Sequence, residues 1–144
     1  MAIFQSAWGT GRKVAPTAGE AGVSVVEQFQ FVVGDDLAST DVIELGILPA
    51  YHTVTDAVLI TGDLGSGVTV DVGIMSGVPG NPDASRTSGN ELFASAANNS
   101  AVRMSKPEGF QIAPTEADRS IGVKVSGAVT ASDQKILLVL TYKQ

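Results

Sequence analysis

The chain of 144 residues has no cysteine and a single histidine, His52. The first absence removes disulfides, thiolate metal sites and cysteine nucleophiles together, and leaves the redox compartment open. The second gives a serine–histidine mechanism only one candidate base and leaves a zinc site short of ligands. No apolar run approaches the ~20 residues that a membrane-spanning helix needs; the longest, near Ile136–Leu140, is strand-sized. The start, MAIFQSAWGTGRK, carries its charges after its apolar residues, the reverse of a signal peptide, so the expected product is cytoplasmic. Lys and Arg are missing between Val14 and Ser85, a stretch that holds ten acids: Glu20, Glu27, Asp35, Asp36, Asp41, Glu44, Asp56, Asp63, Asp71 and Asp83. A protein that displaces counterions from nucleic acid needs a cationic footprint, and this distribution excludes one. Two readings of the acids stay open. They solvate strand edges and loops, or they form a surface set against a basic partner or a neighbouring copy's C-terminal half.

What is present points to a folded domain. Hydrophobic residues make up 44% of the chain and charged ones 17%, the balance of a globular protein with a core of its own. The informative stretch is Asp41 to Gly77, DVIELGILPAYHTVTDAVLITGDLGSGVTVDVGIMSG. Its apolar residues alternate with polar or small ones, as a sheet with one buried face requires. Val68, Val70, Val72 and Ile74 point one way, and Thr69, Asp71, Gly73 and Met75 the other. The pattern predicts strands over 23–33, with Val23, Val25, Phe29, Phe31 and Val33 on one face, and over 41–48, with Ile43, Leu45 and Ile47 inward and Glu44 outward. It predicts further strands over 53–61, with Val54, Val58 and Ile60 inward, and over 68–75. Turns fall at Gly34-Asp35-Asp36, at Pro49-Ala50 and in the glycine-rich 62–67 segment.

Residues 77–100 read as a long excursion, with a short helix expected at 90–97 capped by Asn90. Short strands are expected at 101–104 and 110–112, then one carrying Ile121, Val123 and Val125. The last strand, 135–142, is apolar on both faces: Ile136, Leu138, Leu140 and Tyr142 on one, Leu137 and Val139 on the other. Such a strand belongs in the middle of a sheet, or has its second face under a loop or another subunit. About eight short strands with no ordinary amphipathic helix define an all-β antiparallel sandwich or barrel.

The first 22 residues differ from the rest. Gly9, Gly11, Pro16, Gly19 and Gly22 interrupt any regular element, yet Ile3, Phe4 and the only tryptophan, Trp8, lie among them. Large apolar groups in a loose terminus must be covered by something. Either they fold back on the domain's own sheet, or 1–22 is an extended arm that docks on a partner. In the second case Ile3, Phe4 and Trp8 are the anchor and Arg12 and Lys13 a polar clamp, with 23–144 as the sandwich proper.

The search for chemistry returns little. His52 follows Pro49-Ala50-Tyr51 with no orienting partner beside it; Asp56 would share its face but lie ~13 Å along the strand. Asp35, Asp36, Asp63 and Asp83 could offer oxygen to calcium, but none falls in an alternating-acid loop, and turn chemistry alone accounts for them. The GDLGSG turn lacks the Lys-Ser/Thr and the following helix of a phosphate loop. No catalytic residue, metal site or cofactor is assigned, and the expectation is a protein that is not an enzyme.

The order of elements between Asp41 and Gly77 carries a resemblance. ELGILPA at 44–50, TVTDAVLITGDLG at 53–65 and VTVDVGIMSG at 68–77 resemble the small β-sandwich decoration, or cement, proteins of tailed-phage heads, over about a quarter of the chain. The resemblance implies jelly-roll connections, a structural role on the outside of the virion capsid, the major capsid protein as partner, and a homo-oligomer, dimer or trimer. It implies neither nucleic acid nor membrane as partner. The alternative is a glycan- or receptor-binding sandwich of a tail or head fibre. That module needs exposed aromatics, and the chain offers only Trp8, Tyr51, Phe93 or Phe110 for the purpose.

Overall fold

The computed structural model describes residues 2–20, 22–35, 37–130 and 132–144. Their alternating side chains resolve into strands β1 (Ile3–Gln5), β2 (Ser24–Val32), β3 (Val42–Leu48), β4 (Thr53–Thr61), β5 (Thr69–Ile74), β6 (Phe93–Ala97), β7 (Ser100–Arg103), β8 (Arg119–Ser126) and β9 (Lys135–Lys143). A single helical turn, α1 (Pro107–Phe110), separates β7 from β8. The chain forms one long antiparallel ribbon, β2 with β9, β3 with β8, β4 with β7 and β5 with β6. The ribbon wraps so that β9 also pairs with β4, and β8 with β5. This gives two packed sheets, β1-β3-β8-β5-β6 and β2-β9-β4-β7. The fold is a β-sandwich with jelly-roll connections, as expected.

The core lies between the sheets. Phe29 of β2, Ile43, Leu45 and Leu48 of β3, Val70 and Val72 of β5, Ile121 and Val123 of β8, and Ile136, Leu138, Leu140 and Tyr142 of β9 are buried there. The doubly apolar β9 is central in its sheet, between β2 and β4, as its pattern requires. Gly46 faces this core with no side chain, and a Cβ there would reach within 2.6 Å of the Phe29 ring.

Several expectations need correction. In β4 it is Val54, Ala57 and Leu59 that enter the core, while Val58 and Ile60 are only half-buried. A register shift between Val54 and Asp56 inverts the alternation midway, and one extra residue reverses every side chain after it. The helix expected at 90–97 is strand β6, which pairs with β5 and buries Phe93. Sheet pairing there outweighs the local capping signal. The strand expected at 110–112 is absent; the chain instead makes α1 just before it, with Pro107 in its first turn and Glu108 beside it. Residues 3–5, read as irregular, form β1 by pairing parallel with β3. Asp36, assigned to a turn and to the calcium candidates, lies outside the described residues.

The 77–92 excursion folds back on the sandwich and buries Arg86 and Leu92, while most of 77–85 faces solvent. It lies across the outer face of the five-stranded sheet, over paired Gly73 of β5 and Gly122 of β8. A Cβ on Gly73 would overlap the backbone of Gly89, and one on Gly122 would overlap Ser88 and Met75. These two glycines form the floor on which the excursion rests, and backbone opposite Gly73 cannot retreat without lifting it. We predict that Gly73→Ala lowers the urea midpoint by the equivalent of ~2 kcal/mol or more, the cost of overpacking. Gly19→Ala, where nothing lies within 4 Å of the new methyl, shifts it by less than ~0.5 kcal/mol.

Candidate functional site

The residues proposed from sequence as a binding arm belong to a segment that is packed on the sandwich. Ile3 and Phe4 are half-buried in β1, and Phe4 meets Phe31 edge-on, ring centroids 6.3 Å apart. Trp8 is 5% exposed and stands at 84° to Phe29, centroids 5.2 Å apart. As a partner anchor Trp8 is therefore displaced: its apolar area is spent in the chain's own core, the first of the two readings of this segment. Lys13 Nζ lies 4.8 Å above the Trp8 ring, a cation–π contact that caps the indole from the solvent side. Arg12 and Lys13 are exposed, and Val14 beside them is 84% exposed.

Two hydrogen bonds hold the segment beyond Val14. Ala18 N–H donates to His52 Nε2 at 3.0 Å, and Tyr142 Oη donates to the Pro16 carbonyl at 2.5 Å. His52 is buried rather than at the surface, 5.6 Å from the Tyr142 ring in an edge contact. Its Nδ1 lies 2.7 Å from the Ala50 carbonyl, an acceptor, so Nδ1 carries the proton and Nε2 accepts. Both ring nitrogens are occupied by backbone, which leaves the histidine no base to offer. Burial, with the Glu27 carboxylate adding to it, pushes the Tyr142 phenol above its ordinary range, so it stays protonated as donor. Asp56, the sequence's only carboxylate near His52, pairs instead with Arg103 at 2.8 Å. Asp63 and Asp83 accept the amides two residues on, Gly65 and Ser85, as turn residues do. Among the described residues no three His, Asp or Glu side chains converge on a metal position.

Where residues 13–17 run beside the end of β3 they leave a cleft of about 220 Å³, lined by Lys13, Val14, Ala15, Thr17, Ile47, Pro49 and Asp118. Its wall is mainly apolar, with Lys13 and Asp118 as its charged groups. Four of the lining residues come from the N-terminal segment and three from distant positions, so only the fold brings them together. Nothing local in the sequence marks Ile47, Pro49 or Asp118 as members of a site.

This surface is positioned by a buried ion pair. Glu44 of β3 points away from the core, as expected, but it is not solvated: the excursion covers it, and Glu44 and Arg86 are 0% and 3% exposed. Arg86 Nη2 lies 2.7 Å from Glu44 Oε2, and the guanidinium also donates to the Ser76 and Asn81 carbonyls and to Ser120 Oγ. Glu44 takes further hydrogen bonds from Ser120 Oγ, from Gly80 N–H at 3.2 Å and from Gln5 Nε2 at 2.8 Å. Thus one carboxylate joins β1, β3, β8 and the excursion. Burial alone would push its carboxyl up, yet the hydrogen bonds from Arg86, Ser120, Gln5 and Gly80 together hold it below the ordinary range. The acid-rich and base-rich parts of the sequence therefore meet within one chain, here and at Arg103–Asp56.

No protein-family model matches the chain, and no curated protein does. Among solved structures, the chain is similar to one in the capsid of Ralstonia phage GP4, with 36% identity over 99% of this chain and 97% of that one, and a TM-score of 0.93. Two more distant structures share the fold. In the cyanophage Pam1 capsid asymmetric unit the match is 20% identical over 92% of each chain, TM-score 0.65. In the acidic stable capsid of Helicobacter pylori bacteriophage KHP30 it is 16% identical over 87% and 90%, TM-score 0.55. The chain belongs to the family of the Ralstonia phage GP4 capsid chain, and is a virion structural protein related to phage capsids.

Because its pKa is lowered by folding, Glu44 adds stability that is fully present above the ordinary glutamate range, ~4.3. That contribution disappears as pH falls through the lower folded value. Glu44→Gln leaves the Arg86 charge buried and uncompensated, and is expected to cost about 3–5 kcal/mol at pH 7. The difference from the parent narrows below pH ~4 as the parent itself protonates. Urea unfolding of both proteins from pH 3 to pH 7 measures it; a difference that stays constant with pH would contradict the role given to this carboxylate.

Proposed function

We propose that the protein is a decoration, or cement, protein that binds the outside of a phage head and stabilises the shell by bridging copies of the major capsid protein. The observation that carries this reading is the match along essentially the whole chain to a chain of the Ralstonia phage GP4 capsid. The chemistry of the surface supports it. The Glu44 network and the His52–Tyr142 contacts hold the segment in which Lys13 and Val14 line an apolar cleft and Arg12, next in the chain, is exposed. An apolar cleft that carries Lys13 and Asp118, with exposed Arg12 next in the chain, suits an apolar segment of a neighbouring capsid subunit that sets an acid against the two cations. Ile3, Phe4 and Trp8 serve by supporting this segment from below, and Arg12 and Lys13 make the contact. Each contact is weak, but many copies on one shell act together.

A glycan- or receptor-binding role has less support. Trp8 and Phe93 are buried, and Tyr51 and Phe110 are the two aromatic side chains among the large exposed apolar residues. Deleting 1–22 would remove Trp8 from the core, so point variants are the informative test. Purified heads of the cognate phage should bind the parent protein saturably, at a fixed ratio to the major capsid protein, in co-sedimentation. Arg12→Glu with Lys13→Glu should reduce that binding at least tenfold with an unchanged circular dichroism spectrum. Failure of the parent protein to bind heads would overturn the decoration reading.

A further inference from the structure

We propose that the outward face of the four-stranded sheet, β2-β9-β4-β7, is a second attachment surface, which takes a capsid-subunit surface with an apolar centre and acidic flanks. The inference deepens the decoration reading, on which it rests for the identity of that partner.

The register of the sheet builds this face row by row. β9 supplies Leu137 and Val139 to its centre, and β4 sets Ile60 beside Leu137 and Val58 beside Val139. These four side chains are half-buried, and none belongs to the core or packs against it; the core takes their chain neighbours Ala57, Leu59, Leu138 and Leu140. β2 borders the block with Gln30 beside Leu137 and Gln28 beside Val139. On the other side β7 sets Ala101 beside Ile60 and Arg103 beside Val58. Val26 and Val32, 60% and 47% exposed, stand at two corners, beside Thr141 and Lys135. An antiparallel sheet with one face on the core ordinarily gives polar side chains to the other. Here the second face is apolar at its centre and polar around it, the anatomy of an interface.

The charge of the face selects its occupant. β9 begins and ends in lysine, and Lys135 and Lys143 share the outward side of Leu137 and Val139. Eight residues of strand separate them, ~27 Å. Asp56 is the one acid on the outward side of the four strands, and Arg103 already pairs with it at 2.8 Å. Glu27, the remaining acid in these strands, shares the inward side of Phe29. A chain of net charge −6 therefore presents one apolar-centred face of net positive charge. Its complement sets carboxylates opposite Lys135 and Lys143 with apolar side chains between them. A second copy does not supply this. Stacked face to face about a two-fold with strands aligned, it sets lysine over lysine at both ends, and opposed like charges disfavour the pairing.

The cleft at Lys13 and Asp118 belongs to the other side of the sandwich. Ile47, which lines it, pairs with Ser120 on the outer face of the five-stranded sheet, the face that carries Glu44. A component that bridges two capsid subunits needs a surface for each. A sandwich seated at a junction offers the cleft side to one subunit and the β9 face to the next.

Co-sedimentation with purified heads of the cognate phage tests the face with two independent variants. Val58→Thr with Val139→Thr keeps branched, strand-forming side chains and removes apolar surface from the centre. It should weaken head binding at least fivefold. Lys135→Glu with Lys143→Glu should weaken it at least tenfold. Both should keep the parent's circular dichroism spectrum and sedimentation coefficient. Two variants that bind heads as the parent does overturn this proposal and leave the decoration reading standing. A parent protein that does not bind heads overturns the decoration reading, and this one with it. A changed sedimentation coefficient in either variant with head binding unaltered assigns the face to contact between copies, and likewise overturns the proposal.

Discussion

One carboxylate holds the outer layer of this sandwich in place. Glu44 sits on the outward face of β3, where alternation would give it to water, and is instead sealed beneath the 77–92 excursion against Arg86. Two charges removed from water gain little net stability from each other, because desolvation offsets much of the attraction. What they fix is position. The guanidinium can satisfy Glu44, Ser120, Ser76 and Asn81 together only when the excursion lies flat over Gly73 and Gly122. Gln5 reaches the same carboxylate from β1, so the start of the chain is set by the same interaction.

The N-terminal segment shows how such fixing produces a surface. Trp8 packs on Phe29, Lys13 covers the indole, and His52 and Tyr142 take the backbone at Ala18 and Pro16. Together these contacts turn a stretch rich in glycine and small residues into the wall of a cleft lined by Lys13 and Val14, with exposed Arg12 next in the chain. His52 and the buried ion pair, the groups that invite a catalytic reading, are both engaged in holding backbone. Both thus serve the shape of a protein whose kinship is to a phage capsid chain.

The sequence made the two sheets legible where one face is buried and the other is not. Thr53–Thr61 was readable to the residue, and the strands of β3, β5, β8 and β9 nearly so, because period-two alternation is a local signal. The facing of Val58 and Ile60 was not readable, since the shift after Val54 arises in the pairing of β4 with β9. β1 owes its existence to a parallel partner 39 residues away, at Val42, and β6 to β5; neither partner can be inferred from composition. The candidate site was half visible. Unusual residues in a weak segment drew attention to Trp8, Arg12 and Lys13, but Ile47, Pro49 and Asp118 join them only in three dimensions. Glu44 gave no sign of burial, because its partner Arg86 comes from an excursion whose path over the sheet has no local signature.

The proposed role makes this sandwich an attached component of a phage head, outside the shell that the major capsid protein forms. A cryo-electron microscopy reconstruction of the mature head is the decisive measurement. Jelly-roll density is expected on the outer surface across junctions between capsid subunits, with the edge at Arg12–Val14 turned toward the shell. Density for this chain within the continuous shell lattice, or none on the head at all, would contradict it.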